Sequence, residues 1–242
     1  MPILLSSEIQ KTCTELSIRM KERFPLSNLN ETCLALINIS NDIDKTNVWI
    51  KSPNIPIRVS SWLCIAALLV FIIPAYVKLQ VTFTNINIAD FFQMLDASFN
   101  VIVLAVGTGL FLMASETRKK RKKVISAINK LKSIAHIIDA QQLKKDPRST
   151  SGIRTTSSPI RSLTDYELGR YLDYCSEMLS LIGKIAFLYV QHFDDPVAND
   201  SVNDLEALTT GLSQKIWQKI VIIDNSSRRE ELSKHENVSS LI

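Results

Sequence analysis

Histidine, cysteine and acidic side chains are the residues of this chain best suited to chemistry, and their spacing matches no common site. The three histidines form no His-x₃-His pair and the four cysteines no Cys-x₂-Cys pair, the spacings typical of zinc sites. His136 and Asp139 share a helix face, where a local hydrogen-bonded pair is more common than a catalytic one. The carboxylates from Asp194 to Glu206 lack the glycine and the ligand spacing of an EF-hand. The sequence therefore predicts no catalytic residue, no metal site and no cofactor.

Two uncharged apolar runs dominate the elements that would position any site. Val59–Val77 and Ala97–Ser115 each have 19 residues, enough as helices to cross a hydrocarbon core of about 30 Å. Two buried core helices of a soluble protein are the alternative, but six consecutive cations begin only two residues after the second run. We predict a transmembrane hairpin over residues 57–117, with spans at about 59–77 and 97–115.

The distribution of Lys and Arg predicts the orientation of this hairpin. Lys51 and Arg58 precede the first span, whereas the connecting segment carries only Lys78 against Asp90 and Asp96. Both termini are expected in the cytoplasm. Anionic lipid attracts such cations by about 1 kcal/mol each, whereas nucleic acid is disfavoured because no aromatic residues interleave with them. The predicted membrane-surface cations are Arg118, Lys119, Lys120, Arg121, Lys122 and Lys123.

Residues 1–56 read as two amphipathic helices and a linker. The first helix is predicted to begin near Ser7, with Gln10 as its capping-box partner, and to stop at Pro25. The second is predicted to begin near Asn28, with Asp44–Pro56 as the linker that follows it. Both helices need a partner surface, either the C-terminal helices or another subunit.

Residues 118–224 are predicted to form a cytoplasmic stalk and an antiparallel helical bundle, so the fold class is all-α. The stalk carries a seam with alternating steps of four and three, typical of a coiled coil or bundle: Val124, Ile128, Leu131, Ala135, Ile138 and Gln142. Residues 146–162 are predicted to be a flexible loop, with an anion-binding or regulatory loop as the alternative.

Two further helices complete the bundle. Thr164 and Glu167 form a T-x-x-E capping box that begins the first of them. Asp195 and Pro196 suit the cap and first position of the second, which is predicted to end near Asp224. Residues 225–242 are predicted to be a disordered tail.

Small and polar residues in the second span suggest two roles for it, association between helices and the lining of a pore. Ala105 and Gly109 form a small-xxx-small pair that lets helices approach closely. Thr108 and Ser115 lie on one face, where they either hydrogen-bond between helices or line a pore. We expect Ala105 and Gly109, together with the seam residues Val124, Ile128 and Leu131, to associate subunits.

The layout of two closely spaced spans, a basic juncture and a cytoplasmic helical bundle over Val59 to about Asp224 resembles a bacterial family. This family is the two-transmembrane, SLATT-type effectors of conflict systems. The resemblance implies a pore or a disrupted membrane once the cytoplasmic part is triggered, here by a separate protein or small molecule. It rests on architecture, so it assigns no functional residue.

Three classes of function follow from the sequence. The favoured one is a homo-oligomeric, pore-forming or membrane-perturbing effector gated by its cytoplasmic helices. The alternative is a membrane-anchored scaffold that docks a cytoplasmic partner. An enzyme at the membrane surface is the least favoured, because no catalytic constellation is present.

Overall fold

The computed structural model describes residues 4–53, 88–143, 145 and 163–239, and positions 55, 59, 60, 63, 66 and 70 between them. Over these residues the chain is all-helical, as predicted, and contains no strand. Most of the predicted first span, Val59–Val77, and all of the loop 146–162 lie outside the described residues. Five long helices are described: α1 (Ser6–Arg23), α2 (Asn28–Lys51), α3 (Ile88–Leu143), α4 (Asp165–Val190) and α5 (Pro196–Ser239).

The chain divides into two compact units. One unit joins residues 1–49 to residues 124–242, and the other comprises residues 50–123. The N-terminal helices therefore share a unit with the C-terminal ones, which is one of the two partner surfaces that their amphipathic pattern allowed.

Helices α1 and α2 begin close to the predicted residues, but two details of their ends differ. Gln10 does not cap α1: its Nε2 donates to the Ser40 carbonyl oxygen at 3.0 Å and to Asp44 Oδ2 at 3.2 Å, both on α2. The predicted capping box at Ser7 is thus wrong, because the long amide side chain reaches a neighbouring helix instead of its own backbone. The linker predicted from Asp44 is also wrong at its start, since α2 continues to Lys51.

Helix α4 begins with the predicted capping box. Thr164 Oγ1 accepts a hydrogen bond from the Glu167 backbone N–H at 3.2 Å, and Glu167 Oε2 accepts one from the Thr164 backbone N–H at 2.8 Å. Two otherwise unpaired backbone donors are satisfied in this way. Both halves of the predicted capping box are confirmed.

Helix α5 has the predicted start but not the predicted end. Asp195 Oδ1 accepts from the Ala198 backbone N–H at 3.0 Å, and the helix begins at Pro196, as expected. It then continues to Ser239, so the end near Asp224 and the disorder predicted beyond it are wrong for residues 225–239. This stretch has no Gly or Pro to stop a helix, and it is rich in Arg, Glu and Lys, which favour one.

The core of the larger unit is built around α4, which packs against α1 and α5. Burial of a whole aliphatic side chain contributes about 1.5–3 kcal/mol, so its buried stripe is a main source of stability. Phe24, just after α1, meets the rings of Tyr171 and Tyr174 edge-on, with centroids 5.8 and 6.2 Å away. The apolar residues that the sequence spaces at alternating steps of four and three along α4 are all buried: Leu168, Leu172, Cys175, Leu179, Ile182, Ala186 and Tyr189.

Candidate functional site

The N-terminal half of α3 is the most unusual surface of the described residues. Within them, the segment Ser98–Leu143 is the one helical stretch long and apolar enough to cross a membrane. In the first part of this segment, up to Met113, the rest of the chain leaves most of the large apolar side chains exposed: Ile102 is 61% exposed, Leu110 64% and Met113 72%. Exposure of so many large apolar side chains to water is unfavourable, so this surface requires an apolar environment.

Several small and polar residues in the N-terminal half of α3 share one face of the helix, whereas Gly107 and Ala114 are exposed on the opposite side. The less exposed positions follow steps of four and three along Val101, Ala105, Thr108, Leu112 and Ser115. At 100° per residue, these positions together with Gly109 and Glu116 occupy an arc of about 120°. The structure thus brings the predicted association pair and the two predicted pore-facing hydroxyls together on a single stripe, which we call the small-residue face.

Gly109 leaves room on this face. A Cβ atom placed on Gly109 would meet no atom within 4 Å apart from its own helical surroundings. The glycine is therefore not required by close packing within one chain. It keeps the surface low enough for another helix to approach.

The six predicted membrane-surface cations surround α3 rather than line one side of it. Six successive helical residues at 100° intervals point in all directions, so Arg118–Lys123 form a collar about 7.5 Å tall. Arg118, Lys119, Lys122 and Lys123 are exposed, whereas Lys120 and Arg121 are partly covered.

Glu116 joins this collar to the small-residue face. Its Oε1 lies 2.9 Å from Lys120 Nζ, and the two side chains are only 16% and 14% exposed. Sequence reasoning did not single out Glu116, although its i,i+4 spacing from Lys120 is the signal of a helical ion pair. The pair neutralises one cation of the collar on the covered side of the helix.

The seam residues Val124, Ile128 and Leu131 are buried within a single chain. Each is at most 1% exposed. Two hydrogen bonds place the end of α3 against its neighbours: Gln141 Nε2 to Thr32 Oγ1 of α2 at 3.0 Å, and Lys219 Nζ of α5 to the Gln142 carbonyl oxygen at 2.9 Å. Side chains that the same chain covers cannot also contact another subunit, so their predicted role in subunit association is wrong. They form part of the core.

Several of the side chains first considered for chemistry are occupied or shielded, although His136 and His192 are exposed. Asp139 Oδ1 accepts a hydrogen bond from Gln142 Nε2 at 3.1 Å. Burial raises the pKa of Cys13 to about 12, of Cys33 to about 11 and of Cys175 to about 12, which keeps these thiols protonated and unreactive at neutral pH. No group of three or more potential metal ligands occurs in the part of the chain that the structure describes.

Comparison with known proteins adds no relative. No family model matches the chain, and no curated protein or solved structure is significantly similar to it. Its function must therefore be argued from the surfaces described above.

Proposed function

We propose that this protein is a homo-oligomeric membrane protein that forms a pore or perturbs the bilayer, with its cytoplasmic helices controlling assembly. The observation that carries the proposal is the exposed apolar surface of α3 with a single small-residue face. Lipid would cover the large apolar side chains, and a second subunit would pack on the part of the small-residue face, around Ala105 and Gly109, that the chain itself leaves partly exposed.

The proposed membrane segment is a hairpin of two spans, Val59–Val77 and Ala97–Ser115, with both termini in the cytoplasm. The charge asymmetry of the sequence supports this arrangement, as does the collar Arg118–Lys123, which suits the level of anionic headgroups. The architecture resembles SLATT-type effectors, and the bacterial inner membrane is the location that this resemblance suggests.

Within an assembly, Thr108 and Ser115 would lie beside Ala105 and Gly109 at or near the subunit contact. Their hydroxyl groups are suited to hydrogen bonds between helices or to a narrow polar lining. Control by the cytoplasmic helices is supported by the continuity of α3, because its part beyond Lys123 is anchored in a packed core. A change in that core would be transmitted along the helix.

Replacement of Gly109 by Ile tests this proposal. Added bulk on the small-residue face should weaken cross-linked oligomer by about tenfold and suppress dye leakage from liposomes that contain the purified protein. Val106→Ile is the matched control, because Val106 is an exposed residue off that face and should tolerate the change. Normal insertion of Gly109→Ile with undiminished oligomer would place the subunit contact elsewhere. If Gly109→Ile lost the oligomer but kept full leakage, leakage would not depend on assembly.

A scaffold function is the second candidate, and one surface favours it. Trp217 on α5 is 66% exposed and lines a groove of about 550 Å³ together with Ile9 of α1 and Leu181 of α4. An exposed Trp beside an apolar floor is a common anchor of protein interfaces. On this hypothesis Trp217→Ala removes a co-purifying cytoplasmic protein while leaving liposome leakage unchanged.

A further inference from the structure

A second groove lies where the turn between α1 and α2 meets the end of α3 and the start of α4. Its volume is about 820 Å³, within the range of small-molecule sites, and every lining residue belongs to the larger unit. We call it the turn groove. Its residues play no part in the proposed membrane function.

Two cations on the turn groove have aromatic partners in place of carboxylate partners. Arg23 Nη1 donates to the Tyr166 hydroxyl at 3.2 Å, and its guanidinium carbon lies 5.6 Å from the centroid of that ring. Lys145 Nζ lies 5.3 Å from the centroid of the Tyr171 ring. Neither cation forms an ion pair with any carboxylate in the described ranges. Cation–π contacts hold these side chains in place without neutralising their charge.

The carboxylate that lines the turn groove is already engaged. Glu167 Oε2 accepts hydrogen bonds from the Thr164 backbone N–H at 2.8 Å and from Thr164 Oγ1 at 2.9 Å, and these bonds lower its pKa. Two cations therefore face one carboxylate that is committed to a helix cap. The groove retains an excess of positive charge, which favours an anion.

The groove beside Trp217, described under the scaffold hypothesis, lacks such an excess of positive charge. Charged side chains also line that groove, but Glu177 pairs with Arg19 at 2.7 Å and Asp173 pairs with Arg170 at 2.9 Å. Its charges are largely compensated within the chain.

Apolar side chains form much of the rest of the turn groove. Phe24 and Tyr171 pack edge to face, and Leu26 at the tip of the turn is 97% exposed. Ile137 of α3, 46% exposed, lies on another side. An uncovered Leu and Ile beside two uncompensated cations suit a ligand that has both an apolar body and a negative group.

We propose that the turn groove binds a small organic anion with an aromatic body joined to a phosphate or carboxylate group. The negative group lies between Arg23 and Lys145, and the aromatic body packs against Phe24, Leu26 and Ile137. Guanidinium and ammonium groups are the side chains that most often bind such anions in proteins.

Calorimetric titration of the full chain in nanodiscs tests the proposal, with phenyl phosphate as the probe. Inorganic phosphate and benzyl alcohol each supply one half of its chemistry, and phenyl phosphate should bind at least about tenfold more tightly than either. The double variant Arg23→Gln, Lys145→Gln should weaken phenyl phosphate binding by about tenfold or more. The variant Leu26→Ser should weaken phenyl phosphate but leave inorganic phosphate unchanged.

The matched control removes two cations from the exposed surface of α1 outside the groove, by Lys11→Gln and Lys21→Gln. Unchanged binding in this control supports the proposed site, provided that thermal unfolding of every variant matches the wild type. The proposal is overturned if phenyl phosphate does not bind, or if both double variants weaken binding equally. Equal affinity for phenyl phosphate and inorganic phosphate would show that the groove does not bind an aromatic body.

Discussion

The less exposed positions follow the same spacing in both halves of helix α3, but the residues around them differ. Val101, Ala105, Thr108, Leu112 and Ser115 follow steps of four and three in the first half, and Val124, Ile128, Leu131, Ala135 and Ile138 follow them in the second. In the second half the stripe is buried at 0–1% exposure, and most of the exposed positions between its members are polar, such as Asn129 and Lys130, with Ile137 as the apolar exception. In the first half most of the exposed positions between its members are large and apolar, such as Ile102 and Leu110, and Gly107 and Ala114 are the small ones.

The spacing of the less exposed positions therefore predicts only which face of the helix is covered. The residues off that face indicate whether the helix is surrounded by water or by an apolar environment. A helix with a polar outer surface packs its stripe against its own chain and faces water. A helix that is apolar all round needs lipid or protein on every side. The collar Arg118–Lys123 lies between the two halves, where the surroundings change.

The largest expected effect comes from a charge placed in the seam of the second half. Leu131→Asp buries a carboxylate without a partner, so we expect the free energy of unfolding to fall by about 4 kcal/mol or more. Denaturant unfolding of the full chain in nanodiscs, followed by circular dichroism, measures the loss. Ser133→Asp, two residues away and exposed, should change stability by less than about 0.5 kcal/mol. If the Leu131→Asp protein stayed stable and only its oligomer were lost, Leu131 would belong to a subunit interface instead of the core of its own chain.

A smaller effect is expected at the start of α4, in the same unit as the seam. Thr164→Ala removes the cap hydroxyl and should cost about 1 kcal/mol near neutral pH. The pKa of Glu167 is lowered by its bonds to Thr164, so its contribution is present above the ordinary pKa of 4.5 and is lost as the pH falls through the lower folded-state pKa. The stability difference between wild type and Thr164→Ala should therefore shrink below pH 4.5. A difference that grows on acidification would contradict this account of the cap.

The sequence predicted best those features that depend on neighbouring residues. The capping box at Thr164, the Asp195 cap and the buried stripe of α4 each need only spacings of three or four along one helix. Gln10 was misread because its partners, Ser40 and Asp44, lie about thirty residues away, and no local pattern reveals them.

Contacts between residues far apart in the chain are also the reason why parts of the candidate sites could not be predicted from the sequence. Periodicity indicated that Val124, Ile128 and Leu131 are covered, but not whether the cover comes from the same chain or from another. The turn groove combines Arg23 with Lys145, which are far apart in sequence and carry no motif. Such a site becomes visible only when the fold brings the ends of four helices together.

The most direct test of the membrane assignment compares lipid contact in the two halves of α3. A photoreactive benzoylphenylalanine is introduced at Leu104 in the first half and, in a separate variant, at Ile137 in the second, both of which are exposed in the chain. The full protein is then irradiated in native membranes, and its adducts are identified by mass spectrometry. Position 104 should yield lipid acyl-chain adducts, whereas position 137 should yield none. Equal labelling at the two positions, or the absence of lipid adducts at position 104, would contradict a membrane-embedded first half.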